Sequence, residues 1–213
     1  DKSSTWEPLP HQIPPDFDWD IWMLIGGRGS GKTMAGARYV LNHLEQFGRL
    51  ARVGVGAATI ADARDVCAEG ITGIIGLDRD AFHYNRSLGG SEEPSRWNGP
   101  QWSLLWCDEL ALWNEESWHQ AQFGLRLGSH PHAIVTTTPK NRAFVKALSL
   151  EQHVAVTYAT TYDNPNLPQV ALDRLQQRYG STRLGRQELM AEWVEEVDGA
   201  LWKPSMFKWN KAP

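Results

Sequence analysis

The stretch IWMLIGGRGSGKT at positions 21–33 decides the fold of this chain. Its last eight residues, GGRGSGKT, fit the P-loop pattern G-x-x-x-x-G-K-[ST]. Glycines in this pattern let the backbone bend, so that successive N–H groups and the N-terminus of the following helix converge on phosphate oxygens. The pattern therefore predicts a nucleotide-triphosphate site. Its predicted binding residues are Gly26, Gly27, Arg28, Gly29, Ser30, Gly31, Lys32 and Thr33.

The residues on either side of this loop agree with that prediction. Residues 21–25 form a short apolar run, which is typical of a strand buried on both faces. Beyond the loop, apolar residues recur at helical spacing from Ala37 to Phe47, and Gly48 is a suitable helix end. A strand, a loop and a helix in this order favour a phosphate-binding loop over a surface turn with an accidental lysine. Lys32 then reaches the β- and γ-phosphates, and Thr33 ligates Mg²⁺.

Composition sets the broad class of the protein. With 213 residues, of which 41% are hydrophobic, the chain has enough apolar residues for one core and a small appended subdomain. No apolar run reaches eighteen residues and the N-terminus lacks a secretory layout, so we expect no membrane span and a location in the cytosol. Cys67 and Cys107 lack metal-site spacing, which predicts reduced core thiols without a functional signal.

Charge and aromatic content bear on nucleic-acid binding. The net charge of −4 argues against a protein that coats nucleic acid, although a local basic face is compatible with it. The eleven tryptophans lie mostly in apolar runs or beside turns, which favours packing over base stacking. Composition alone therefore neither supports nor excludes DNA as a partner.

Apolar segments alternate with helix-like stretches along the chain, which predicts an α/β fold with a parallel sheet flanked by helices. The region 85–100 contains Gly-Gly, Pro and Asn-Gly-Pro breaks, so we expect it to be rich in loops. The expected core strands are residues 21–25, 51–58, 103–107, 132–137 and 153–158.

A second chemical motif is the run from Leu104 to Glu109, which reads LLWCDE and resembles the end of a Walker B strand. In that interpretation Asp108 holds Mg²⁺, and Glu109 polarises the water that attacks the γ-phosphate. The alternative is a solvated turn after a strand. A water-activating carboxylate favours hydrolysis over phosphate transfer to a metabolite.

A third motif is the run of threonines at 136–138, which follows an apolar strand segment. Hydroxyls at the tip of a strand beside the Walker B strand are placed to bind a γ-phosphate or the attacking water. Thr136, Thr137 and Thr138 are therefore candidates for sensing the nucleotide. The alternative is that β-branched residues simply favour strands.

Together these motifs and their surrounding phrases resemble the ATPase domain of tailed-phage large terminases. The resemblance covers about residues 8–202. It implies a P-loop NTPase of the additional-strand, catalytic-Glu type, with a mostly parallel central sheet and a small C-terminal helical lid. The phrases that carry it are IWMLIGGRGSGKT, NGPQWSLLWCDELALW, FGLRLGSHPHAIVTTTPK, TYDNPNL and RYGSTRLGRQEL.

The resemblance also implies a function and its partners. It implies hydrolysis of ATP with Mg²⁺ that drives double-stranded DNA into a procapsid, by a homo-oligomeric ring, expected to be a pentamer, on the portal protein. A small terminase subunit is a further implied partner, and the expected location is the host cytoplasm, transiently at the portal vertex. It divides the chain into an ATPase core at 1–162, a helical lid at 163–202, and the start of a linker at 203–213 to a nuclease domain absent here.

Carried over residue by residue, the resemblance makes Lys32 and Thr33 the phosphate and Mg²⁺ ligands, Asp108 the Walker B metal residue, and Glu109 the catalytic carboxylate. Arg28 matches the extra arginine of terminase P-loops, whose guanidinium contacts the γ-phosphate; the alternative is a solvated loop arginine. Thr136 to Thr138 match the coupling motif, with Thr137 and Thr138 as the catalytic candidates. Gln12 resembles an upstream glutamine that reads adenine, and its alternative is a solvated side chain in a Pro-rich segment.

The chain departs from the family before the Walker B strand, where Asn98 stands in the place of an expected arginine. A ring ATPase usually needs an arginine from the neighbouring subunit to offset charge in the transition state. Arg96 is therefore the candidate for this role, and Arg86 is the second choice.

The segment 163–197 is expected to be the helical lid. Leu172, Leu175 and Tyr179 share one predicted face, and Met190, Val194 and Val197 share another. Ordinary solvated faces are the alternative to DNA or subunit contacts for the basic residues here and after the threonines, which are Lys140, Arg142, Lys146, Arg174, Arg178, Arg183 and Arg186.

Two other classes of function stay open at this point. One is another P-loop enzyme, such as a helicase-like ATPase, a stand-alone NTPase or a small-molecule kinase. The other is an assembly module that binds nucleotide without turnover.

Overall fold

A computed structural model describes residues 6–79 and 86–194 of the chain. Within these ranges, six strands form one parallel sheet in the order β3-β2-β4-β5-β1-β6. Because every neighbouring pair is parallel, the carboxyl ends of all six strands lie at one edge, where ligands of such sheets bind. The strands are β1 (Ile21–Gly26), β2 (Val53–Ala57), β3 (Arg86–Gly90), β4 (Leu104–Asp108), β5 (His132–Thr137) and β6 (Val154–Ala159).

The first helix continues directly from the loop after β1. It begins after Gly31, whose φ of +87° suits glycine, and ends at Gly48, whose φ is +52°. The predicted end at Gly48 is confirmed. The helices are α1 (Lys32–Phe47), α2 (Ile60–Asp62) with a π-helical continuation (Ala63–Ala68), α3 (Ile74–Leu77), α4 (Glu115–Phe123), α5 (Ala143–Leu148), α6 (Gln169–Tyr179) and α7 (Arg183–Glu188).

The sheet is covered on both faces, which explains the unbroken apolar run of β1. Successive side chains of a strand point to opposite faces. Accordingly, Trp22 and Leu24 lie in the core cluster under α1, whereas Met23 and Ile25 lie in the cluster on the other face. Packing is the role of most tryptophans, as predicted. The buried ones are Trp19, Trp22, Trp97, Trp102, Trp106, Trp113 and Trp118.

The prediction that residues 85–100 are rich in loops is wrong over residues 86–90, which form strand β3 beside β2. This strand reads RSLGG and has no apolar alternation that a pattern could detect. Its packing instead depends on missing side chains. A Cβ on Gly89 would lie 2.6 Å from the ring of Trp97, so only glycine leaves room for that ring. The sheet therefore gains a sixth strand, and only the part after β3 fits the loop prediction, with a 3₁₀ turn at Pro94–Trp97.

The C-terminal part of the described chain is helical as far as α7. Leu172 is buried, and Leu175 and Tyr179 are half-buried, so their predicted shared face is confirmed. The second predicted face is wrong, because Met190 follows the end of α7 and is 42% exposed, whereas Val194 is buried. A positive φ at Ala191 turns the chain there.

Some predictions about this end of the chain fall outside the description. Val197, the end of the expected lid and the expected linker at 203–213 lie beyond the described residues. No helix within residues 6–79 and 86–194 is both long and apolar enough to cross a lipid bilayer.

Candidate active site

The loop after β1 is held from outside by side chains that bind its carbonyl oxygens. Thr161 Oγ1 donates to the Arg28 oxygen at 2.7 Å, and Asn164 Nδ2 donates to the Gly29 oxygen at 2.7 Å. Gly29 and Gly31 have φ of +79° and +87°, a region that only glycine adopts without strain. The loop is thus fixed in a curved shape before any phosphate binds.

Two other segments contact the loop. A Cβ on Gly27 would lie 2.8 Å from the Leu189 oxygen, so the chain after α7 packs directly on the loop. In the N-terminal segment, His11 Nε2 lies 2.9 Å from the oxygen of Ser30, whose side chain is fully buried. The sheet end at Gly26 leads straight into this enclosed turn.

Lysine and carboxylate meet at the carboxyl edge of the sheet. Lys32, the first residue of α1, places Nζ 3.1 Å from Oε1 of Glu109. Glu109 follows β4 in a left-handed conformation, with φ of +50° and ψ of +49°, which is uncommon for a non-glycine residue. The neighbouring strand holds the same carboxylate, because Thr138 donates to it through N at 3.1 Å and through Oγ1 at 3.3 Å.

Asp108 ends β4 and is almost fully buried, with 4% of its surface exposed. Thr136 Oγ1 donates to its Oδ1 at 2.6 Å, and Thr33 Oγ1 lies 3.5 Å from the same oxygen. Burial, with the charge of Glu109 as the next cause, raises the pKa of Asp108 to about 6. A cation beside this carboxylate would favour its charged form.

The donor set fits Mg²⁺. Thr33 and Asp108 offer hard oxygen ligands, and Mg²⁺ in such sites takes one or two protein oxygens and completes its shell with phosphates and water. Among the described residues no group of three or more His, Cys, Asp or Glu side chains forms a separate metal cage. The pair at Thr33 and Asp108 is therefore where a Mg²⁺ ion would be held.

Two further hydrogen bonds support this carboxylate, one to Asp108 itself and one to its partner Thr136. Cys67 Sγ donates to Oδ2 of Asp108 at 3.6 Å, and Trp106 Nε1 donates to Thr136 Oγ1 at 2.9 Å. Both cysteines are buried and reduced, as predicted. Burial raises the pKa of the Cys67 thiol, which keeps it a hydrogen-bond donor. Nothing in the local sequence indicates that Cys67 supports Asp108, because the contact spans 41 positions.

Two other predicted catalytic residues, Thr137 and Arg28, make contacts away from Asp108. Thr137 is fully buried and accepts from the Ala111 N–H at 3.1 Å, so its hydroxyl braces the turn after Glu109. Arg28 is in the loop, but its guanidinium lies 3.4 Å from Oε2 of Glu188 in α7.

Arg96 is not brought to the loop of its own chain. It lies in the turn after β3, where its guanidinium pairs with Glu93. Strand β3 is four neighbours away from β1 in the sheet, which corresponds to about 19 Å at the usual strand spacing. Arg86, the second choice, is the first residue of β3 and therefore lies at the amino end of the sheet, opposite the loop.

Gln12 lies against the loop. Its Nε2 donates to the Gly31 oxygen at 3.0 Å, and its Oε1 accepts from the Leu9 N–H at 2.9 Å. It also lines a cavity of about 830 Å³ between the N-terminal segment, the loop and the segment after Asn164. This volume suits a nucleotide-sized ligand. The side-chain amide nitrogen and oxygen of Gln12 can each form one more hydrogen bond besides these two.

The sheet order carries a further diagnostic feature. Strand β5 lies between β1, which leads into the loop, and β4, which ends in Asp108. This inserted strand is the additional strand implied by the sequence resemblance. Because Thr136 to Thr138 lie at its end, the strand brings them between the loop and Glu109.

Comparisons with known proteins agree with this architecture. The large terminase of a thermophilic bacteriophage matches with a TM-score of 0.72 and 18% identity, over 88% of this chain and 54% of that one. The large terminase ATPase domain of Thermus phage P74-26 matches with a TM-score of 0.68 and 14% identity, over 89% of this chain and 95% of that domain. At these identities the likeness shows the fold. This chain spans about half the length of the first terminase.

The first of these terminases was also solved with ATP-γ-S, and that structure matches with a TM-score of 0.66 and 18% identity, over 83% of this chain and 48% of that one. No curated protein sequence matches this chain. A family model for the N-terminal part of the terminase large subunit, T4-like virus type, matches residues 23–209. The chain therefore belongs to this family of terminase large subunits and carries its N-terminal ATPase fold.

Proposed function

We propose that this domain hydrolyses ATP with Mg²⁺ and that the hydrolysis drives double-stranded DNA through a portal into a procapsid. The observation that carries the proposal is a set of contacts of 3.5 Å or less at the carboxyl edge of the sheet. They join Lys32 and Thr138 to Glu109, and Thr33 to Asp108. This set supplies a phosphate cation, metal ligands and a held carboxylate in one place.

Each side chain has a separate task in hydrolysis. Lys32 binds the β- and γ-phosphates, and Thr33 and Asp108 hold Mg²⁺, which would neutralise charge that develops on the phosphate oxygens. Glu109 orients and polarises the attacking water. In the absence of nucleotide, Glu109 neutralises Lys32 at 3.1 Å. A triphosphate would compete for Lys32 and leave Glu109 held by Thr138 alone.

Thr138 is therefore a candidate for linking the γ-phosphate to the rest of the domain. Its N–H and its hydroxyl both bind Glu109, and it follows β5 directly. A change in the position of Glu109 on hydrolysis would be transmitted to this strand end through these two hydrogen bonds. Thr137 would support the same step by fixing the turn that carries Glu109.

The relatives support the choice of ligand. The terminase of the thermophilic bacteriophage was solved with ADP and with ATP-γ-S. In this chain, the cavity beside Gln12 has room for the base of such a nucleotide. Gln12 would recognise adenine through the N–H and the oxygen lone pair that its bonds to Gly31 and Leu9 do not use.

The larger assembly belongs to the same proposal. The domain acts in the host cytoplasm as part of a ring, expected to be a pentamer, on the portal protein at the procapsid vertex, with a small terminase subunit as a further partner. Residues 1–162 form its core and the helices after residue 163 its lid. Arg96 of one chain enters the site of the next, and a nuclease domain belongs to the full-length protein.

Steady-state ATP hydrolysis against protein concentration, with and without linear double-stranded DNA, tests the proposal. We expect turnover per chain to rise with concentration or DNA. Lys32→Ala and Glu109→Gln should both abolish it, because one removes the phosphate cation and the other the water-polarising carboxylate. Arg96→Ala should lower the concentration-dependent part only. Loss of activity with retained fluorescent-ATP binding in Glu109→Gln separates catalysis from binding.

Two other outcomes would identify the alternatives. Turnover that is constant per chain and indifferent to DNA in the portal-bound full-length protein would indicate a self-contained NTPase. Nucleotide binding without turnover in every assembled context would indicate an assembly module.

A further inference from the structure

Three peptide N–H groups of the phosphate-binding loop are free to bind a ligand. The N–H groups of Gly29, Gly31 and Lys32 donate to no acceptor within residues 6–79 and 86–194. Ser30 differs, because its N–H folds back onto the Gly27 oxygen at 3.2 Å. Unpaired peptide N–H groups are strong donors, and successive ones in a curved loop bind phosphate oxygens.

The carbonyl oxygen of the same peptide unit is in each case bound by a side chain from outside the loop. In a trans peptide unit the C=O and the following N–H point in opposite directions. A side chain that holds the oxygen therefore directs the N–H away from itself, toward the inside of the loop. The three pairs are Thr161 Oγ1 with the Arg28 oxygen at 2.7 Å, His11 Nε2 with the Ser30 oxygen at 2.9 Å, and Gln12 Nε2 with the Gly31 oxygen at 3.0 Å.

His11 is the member of this set that has no role in the proposed function. Its ring is 9% exposed and lies in the 3₁₀ turn Pro10–Gln12. A carbonyl oxygen only accepts hydrogen bonds, so Nε2 of His11 carries a proton and donates it to Ser30.

The peptide unit between Ser30 and Gly31 depends on this one bond. The Ser30 hydroxyl is buried without a hydrogen-bond partner, so the side chain of Ser30 does not fix its own carbonyl group. In the part of the chain that the structure describes, no group besides His11 donates to the Ser30 oxygen. The ring of His11 therefore decides where the Gly31 N–H points.

We propose that His11 is a positioning residue for nucleotide binding, which keeps the Gly31 N–H directed at the phosphates by holding the Ser30 oxygen. The inference rests on the proposed nucleotide binding at the loop. Without the imidazole, this peptide unit is free to turn, and a bound phosphate must order it, which weakens the affinity. Backbone N–H groups of such loops bind the α- and β-phosphates, which ATP and ADP share. Both nucleotides should therefore lose affinity by the same factor.

The test compares His11→Leu, which removes the donor, with His11→Gln, whose amide N–H reaches about as far as Nε2. Binding is measured by titration with ATP and ADP that carry a fluorescent label on the ribose. We expect His11→Leu to bind both about fivefold more weakly, the range for one neutral hydrogen bond. His11→Gln should recover most of this loss.

His130→Leu is the matched control. His130 Nε2 also lies within hydrogen-bonding distance of a carbonyl oxygen, that of Trp19 at 3.1 Å. This bond is at the amino edge of the sheet, because β5 begins at His132. His130→Leu therefore removes the same kind of bond far from the loop and should bind both nucleotides like the wild type. Urea unfolding without nucleotide checks that all variants fold.

A second measurement separates the proposed role from displacement of the whole N-terminal turn. Gln12, the next residue, is the candidate for recognising the base, so a displaced turn would change the ratio of ATP to GTP affinity. In His11→Leu this ratio, measured by competition with the labelled nucleotide, should stay at the wild-type value.

Four results would overturn the inference while leaving nucleotide binding intact. They are equal affinity of wild type and His11→Leu, an equal loss in His130→Leu, a loss that His11→Gln does not relieve, and a changed ratio of ATP to GTP affinity in His11→Leu. Absence of nucleotide binding to the wild type would instead refute the proposed function.

Discussion

Thr136→Val should weaken the fold and the metal site together, and the structure allows the magnitude to be worked out. Thr136 is fully buried and has two hydrogen-bonding partners. Its hydroxyl donates to Asp108 at 2.6 Å and accepts from Trp106 at 2.9 Å. Valine has almost the same shape, so the substitution removes these two bonds without creating a cavity.

The cost has two parts. A hydrogen bond to a buried charged group contributes about 1.5–3 kcal/mol, and an indole N–H left without a partner costs about 1–3 kcal/mol. Relaxation around Trp106 and protonation of Asp108 reduce the sum. We expect a loss of about 3 kcal/mol in the free energy of unfolding at pH 8, without Mg²⁺ or nucleotide.

The pH dependence provides an internal check. The hydroxyl of Thr136 lowers the pKa of Asp108, so its loss raises that pKa further. An acid whose pKa is raised in the folded state binds protons preferentially there, so the fold gains stability as the pH falls through that pKa. The difference between Thr136→Val and the wild type should therefore shrink at pH 5.5.

Urea unfolding followed by tryptophan fluorescence measures these differences. Thr136→Ser is the control, since it keeps the hydroxyl and should cost only about 1 kcal/mol for the missing methyl group. If Thr136→Val is within about 0.5 kcal/mol of the wild type at pH 8, or if serine costs as much as valine, the reasoning about this hydroxyl is wrong.

Three further predictions follow from packing and burial. Gly56→Ala should lower the free energy of unfolding by about 1–3 kcal/mol, because a Cβ would lie 2.4 Å from the ring of Trp113; Gly54→Ala, at 2.9 Å from its nearest ring atom, should cost less. Urea unfolding of both variants checks this order, and the reverse order would contradict it. Burial lowers the pKa of His43 from 6.5 to about 4. The neutral form therefore stabilises the fold above pH 6.5, and up to about 3 kcal/mol is lost as the pH falls from 6.5 to 4. Melting temperatures between pH 4 and pH 8 should depend less on pH in His43→Gln, and equal slopes would refute the assignment. Cys67 is fully buried with a raised thiol pKa, so a disulfide reagent should label it only as fast as the protein opens. Labelling at the rate of a free thiol would show that Cys67, which donates to Asp108, is more accessible than the structure indicates.

The sequence predicted best where chemistry is carried by short local patterns. Lys32 and Thr33 follow a loop whose curvature needs the glycines within it, and Asp108 and Glu109 come at the end of an apolar strand. Parallel strands bring their carboxyl ends to one edge, so two such motifs are expected to meet once the sheet is predicted. The meeting of Lys32 and Glu109 at 3.1 Å agrees with this expectation.

The sequence predicted poorly where a contact depends on how distant segments pack against each other. Strand β3 has no apolar alternation, because Gly89 packs by admitting a tryptophan ring instead of offering a side chain. Similarly, Cys67 lies in a π-helical turn, and its contact with Asp108 arises only when that turn folds over the sheet. Residue types alone indicate neither contact.

The sequence by itself determined the phosphate-binding loop, the acidic pair, the α/β class and the resemblance to large terminases. Each of these depends on patterns of residues that are close together in the chain. Only the tertiary structure decided that Arg28 binds Glu188, that Arg96 lies at the far edge of the sheet, and that Thr136 and Cys67 hold Asp108. The physical reason is the packing of the helices and loops on the ordered strands. It sets which distant side chains share a desolvated site, and the free energy of a hydrogen bond or an ion pair depends on that site rather than on sequence neighbours.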